Sequence, residues 1–94
     1  MPEQGTLALV GAGEFLEIMR DVDAGLLERA GGRRVAILPT ASAPDGTGVS
    51  ERWAAMGLAH FTALGAEPEA VMALDREACH GLEHVEAVSR ADLV

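Results

Sequence analysis

A chain of 94 residues has room for one small domain and no more. Nearly half of its residues are apolar, which sets intrinsic disorder aside. A formal net charge of −8, with seven arginines scattered along the chain and no lysine, repels phosphate backbones and anionic lipid, so neither nucleic acid nor a membrane surface is expected as a partner.

The first expected strand is Thr6-Leu7-Ala8-Leu9-Val10, ended by Gly11-Ala12-Gly13. Its lack of polar alternation suits a strand covered on both faces. A helical stretch follows from about Glu14 to Ala30, with Phe15, Ile18, Met19, Val22, Leu26, Leu27 and Ala30 at spacings of three and four; Asp23 is placed to cap a second helical piece within it. Gly31-Gly32 ends the helix. Arg34-Val35-Ala36-Ile37-Leu38 reads as a second buried strand stopped by Pro39, and residues 40–48 as a loop rich in turn formers. A helix from about Ser50 to Leu64 presents Trp53, Ala54, Gly57, Leu58, Phe61 and Leu64 in one arc, and Gly65 stops it. Ala70-Val71-Met72-Ala73-Leu74 reads as a third strand, residues 82–90 as a last helix, and Asp92-Leu93-Val94 as a fourth strand just starting.

The alternation β-α-β-α-β-α-(β) predicts an α/β fold: a parallel, three-layer (α-β-α), Rossmann-like or flavodoxin-like sheet over residues 1–94 as a single domain, with 6–10, 34–38 and 70–74 as neighbouring strands, incomplete where the fourth strand stops. The expected consequence is an uncovered sheet edge at that strand. Either the chain is the N-terminal portion of a larger domain, or self-association covers the edge. Cys79 stands alone, which excludes an intrachain disulfide. No apolar stretch approaches the roughly 20 residues that span a bilayer, and no secretory pattern opens the sequence, so the cytoplasm is the expected compartment.

Ligands of open parallel α/β sheets bind beyond the carboxyl ends of the strands, which directs attention to the loops Gly11-Ala12-Gly13-Glu14 and Pro39-Thr40-Ala41-Ser42. The first does not make a dinucleotide fingerprint: G-x-G-x-x-G needs glycine where Leu16 stands, and the second strand ends in Pro39 rather than in an acidic ribose-binding residue. A phosphate-cradling P-loop is excluded by the absence of lysine. Ser42 lacks the glycine flanks of a G-x-S-x-G elbow and reads as a loop residue with local side-chain-to-backbone bonds; with Thr40 it is a candidate for hydrogen bonding to a substrate. Cys79, His80 and His84 share a metal-binding face only if they share a helix, and Gly81 stands between the two histidines. His60 borders an apolar stripe and reads as a partly buried structural residue. The residues therefore call for no metal and no cofactor.

The runs "LALVGAGEF", "GGRRVAILPTASA", the "W…F…LGAE" helix and strand, and the closing "ADLV" resemble the start of the cyanophycinase and aspartyl dipeptidase E family of serine peptidases. The resemblance covers essentially the whole chain. It implies a class I glutamine amidotransferase-like fold and a hydrolase that cleaves an amide bond in a peptide or small amide, beside an acidic residue, through an acyl-enzyme. It further implies that the nucleophile follows the strand beginning at Asp92, with its histidine and acidic partner later still, so that these 94 residues carry no catalytic residue and are inactive alone. Carried onto matching positions, Gly11, Ala12 and Gly13 would lie beside the nucleophile, where backbone N–H groups stabilise an oxyanion. Thr40, Ala41 and Ser42 would border the cleft. The alternative reading is a small non-enzymatic α/β module that binds an anion or nucleotide at the Gly11–Glu14 loop and dimerises.

Overall fold

The computed structural model describes residues 5–10 and 13–94. Two strands form its sheet, β1 (Arg34–Ile37) and β2 (Glu67–Ala70), paired in parallel with Arg34 opposite Glu67 and Ile37 opposite Ala70. Two shorter extended segments extend the hydrogen bonding. Leu93 bridges in parallel to both Thr6 and Val35. Thr6 and Ala8 donate to the carbonyls of Asp92 and Val94 at 2.9 and 2.7 Å, and Ala36 donates to Leu93 at 2.9 Å. The order across the hydrogen bonds is therefore 6–8, 92–94, β1, β2. The chain is a mixed α/β structure built around a small parallel sheet.

Two expectations change. Residues 6–10 and 34–38 are not neighbours, because residues 92–94 lie between them. The segment expected to leave an open edge occupies an interior place, where Leu93 is only 2% exposed. Among the described residues the open sides belong instead to residues 6–10, where Leu7 and Leu9 are exposed and not covered on both faces as expected, and to β2. The third strand also pairs earlier than its apolar run. The chain leaves the preceding helix through a left-handed Gly65 (φ 84), with Ala66 bonded back to Phe61 and Gly65 to Thr62. It enters the ladder at once, Glu67 donating to Arg33 at 2.7 Å, so the polar Glu-Pro-Glu stretch takes the pairing positions. Val71 makes a further bond to Ile37 at 2.8 Å, and Val71 and Ala73 stay buried past the end of the ladder. Pro68 is tolerated because Glu67 and Val71 on either side point their N–H groups at β1, which turns its own nitrogen to the open edge.

Helix α1 (Arg20–Ala30) follows a 3-10 turn at Glu17–Met19; the expected single stretch from Glu14 divides there and not at Asp23. Gly31 (φ 73) ends α1 as read. Helix α2 (Thr47–Ala63) begins three residues earlier than expected, after a 3-10 segment at Thr40–Asp45, and α3 (Leu82–Arg90) falls where its periodicity placed it. The side chains of β1 alternate. Val35 and Ile37 join Phe61 and Leu93 in one buried cluster, packed by Leu26 and Leu27 of α1 and Leu58 of α2. Ala36 points the other way, to Val71, Ala73 and Ala87, with Val88 of α3 alongside. No helix among the described residues is long and apolar enough to cross a membrane.

Candidate functional site

The carboxyl ends of three parallel segments open into one cleft of about 380 Å³. Val10 ends the first, Leu38 and Pro39 follow β1, and Val94 belongs to the third; all three lines of chain contribute to its wall. A volume of this size lies within the range of small-molecule sites. The position is the one that parallel α/β architecture offers to ligands, because side chains and backbone from separate loops meet there without disturbing the ladder.

Ser42 reaches this cleft, whereas Thr40 does not. The Thr40 hydroxyl donates to the Ala73 carbonyl at 2.7 Å, tying the start of the 3-10 segment to the chain beyond β2. Ser42 Oγ lies 2.6 Å from the Pro39 carbonyl and 2.7 Å from Ser50 Oγ, and Ser50 is fully buried. A carbonyl only accepts, so the single hydroxyl proton of Ser42 goes to Pro39, and Ser50 donates to Ser42. The arrangement leaves Ser42 Oγ an acceptor in a closed local network and offers no base to activate it, which fits a loop-fixing role. Gly13 (φ 75) takes a left-handed conformation two residues before Phe15 and is not among the described residues that line the cleft. Gly11 and Ala12 lie outside the described residues.

The buried pair Asp23–His60 is the feature that the pattern of residues did not announce. His60 Nε2 donates to Asp23 Oδ2 at 2.7 Å, with side chains only 9% and 7% exposed. The pair links α1 to α2, and Asp23 also lines the cleft. Its signal in the sequence is a charged residue standing among Met19, Leu26, Leu27 and Ala30 on the core-facing side of a helix; a carboxylate is buried there only with a partner. His60 is partly buried, as read, and its partner is Asp23. Its ring stands edge-on to Phe61 at 5.1 Å and tilted to Phe15 at 6.0 Å. Phe15 adopts φ 63, a left-handed conformation that a bulky residue holds at about 1–3 kcal/mol. That turn aims its ring into the wall of the cleft against Phe61 (6.2 Å, edge-to-face).

Glu14, Asp45 and Trp53 also line the cleft. Asp45 falls in the expected loop 40–48 and Trp53 on the expected apolar arc of α2; Trp53 is half-buried and lines the cleft. Cys79 and His80 lie in a 3-10 turn at Ala78–His80, separated from His84 of α3 by an extended Gly81, so they share no helix. Among the described residues no three His, Cys, Asp or Glu side chains are arranged to hold a metal ion. No protein-family model, curated protein or solved structure matches the chain.

Proposed function

We propose that the cleft is the substrate side of an amide hydrolase, binding a peptide or small amide within a three-layer, doubly wound α/β architecture. The observation that carries this reading is the convergence of Val10, of Leu38, Pro39, Ala41 and Ser42, and of Val94 on one cavity. The resemblance to cyanophycinase and aspartyl dipeptidase E implies a nucleophile after the strand beginning at Asp92. Val94 lies on the cleft wall, so a strand-to-helix elbow on that segment opens into this same cavity. The hydroxyl network at Ser42 supports a bordering role for this residue, since its proton is already committed to Pro39. A cytoplasmic setting accords with the lone, exposed Cys79.

Fluorophosphonate labelling tests the reading. The 94-residue chain is expected to stay unlabelled, and the product of the gene's whole reading frame to be labelled at a serine beyond Val94. Labelling of the 94-residue chain that disappears in Ser42→Ala would overturn it.

A further inference from the structure

We propose that the occupant of this cleft is a cation: an amine-bearing peptide or amide with an apolar body. The inference rests on the reading of the cleft as a substrate site. The site itself stands on its volume and its place at the carboxyl ends of parallel segments, and the charged residues decide only the sign of what enters. Phe15, Trp53 and Phe61 give the wall aromatic surface for an apolar group. Glu14 and Asp45 are acidic residues of that lining, and a third one, Asp23, is already paired with His60. No arginine or histidine is among the described residues that line the cleft, and the chain has no lysine.

The sign follows from these groups. An ammonium entering the cleft meets two carboxylates and the faces of aromatic rings, both of which attract it. A carboxylate or phosphate meets the same two negative charges with no cationic side chain to compensate. The same electrostatics disfavour an anion or nucleotide as the occupant, and they disfavour an acidic side chain of a substrate at this subsite. Each partly exposed carboxylate contributes a few-fold in affinity, so the pair gives the cation roughly a tenfold advantage over its neutral analogue.

Trp53 is the only tryptophan of the chain and lines the cleft, so its fluorescence reports directly on occupancy. The intact protein is titrated with three probes that share one side chain: leucinamide, N-acetyl-leucinamide and N-acetyl-leucine. Leucinamide is expected to bind about tenfold more tightly than the neutral probe, with the anion weakest. The double variant Glu14→Gln, Asp45→Asn, shown to be folded by circular dichroism, is expected to bind all three alike. Equal or tighter binding of the neutral or anionic probe to the wild-type chain overturns the charge assignment and leaves the cleft as a substrate site. No response to any probe from folded protein removes the substrate-site reading, and the charge assignment falls with it.

Discussion

The two faces of β1 are built from different materials. On one, Val35 and Ile37 meet Phe61 and Leu93, with leucines of α1 and α2 behind them. On the other, Ala36 meets Val71, Ala73 and Ala87. A buried Val, Ile, Leu or Phe side chain contributes about 1.5–3 kcal/mol through area removed from water, and an alanine methyl far less, so the first face carries most of the apolar stabilisation. Small residues also let a helix approach a sheet closely, whereas large ones hold it off and interdigitate. The cleft cuts into the first face, and Val35, Ile37, Phe61 and Leu93 line it as well as filling the core. The core and the wall of the cleft therefore draw on the same side chains on that face.

Three substitutions test the contrast, each read as the shift of a urea unfolding midpoint. Phe61→Ala is expected to cost the most, about 3–5 kcal/mol, since it empties the 5%-exposed centre of the larger cluster and removes the ring that Phe15 and His60 both contact. Val71→Ala, on the alanine-rich face, is expected to cost about 1.5–2.5 kcal/mol. A cost equal to that of Phe61→Ala would show the two faces to be energetically equivalent. Arg90→Ala removes a half-exposed contact to both carboxylate oxygens of Glu69 at 3.3 Å and is expected to cost no more than about 1 kcal/mol. A larger loss would mean that the α3 side depends on its ion pair more than on its packing.

Local pattern made some of this legible and left the rest hidden for physical reasons. β1 and α3 were visible because a bounded apolar run and a helical period are properties of neighbouring residues. The helical arc on α2 marked Ala54, Gly57 and Phe61, which are buried. The interior position of 92–94 was not visible, since parallel strand order is decided by which faces meet in three dimensions and each strand carries the same apolar signature. The division before Arg20 was hidden because Phe15 and Ile18 fit the helical period, yet Phe15 takes a left-handed turn and Ile18 is 82% exposed. At the candidate site, the loops after the first two strands were found by a general rule of the fold. Trp53 and Asp45 were missed because a cleft wall uses residues that, read singly, belong to a core and a turn.

The placement of 92–94 has a consequence for how the structure assembles. The unit from α1 through β2 is made of neighbours in sequence, each strand docking on the one before it, and such contacts form after small loop closures. Residues 6–8 bond to 92–94, almost the whole length of the chain away. Among the described residues that is the ladder they join, so they have no template until the far segment has seated against β1. Residues 6–8 are thus expected to be the last enrolled in the sheet and, with a single neighbour among the described residues to hold them, the first to be released.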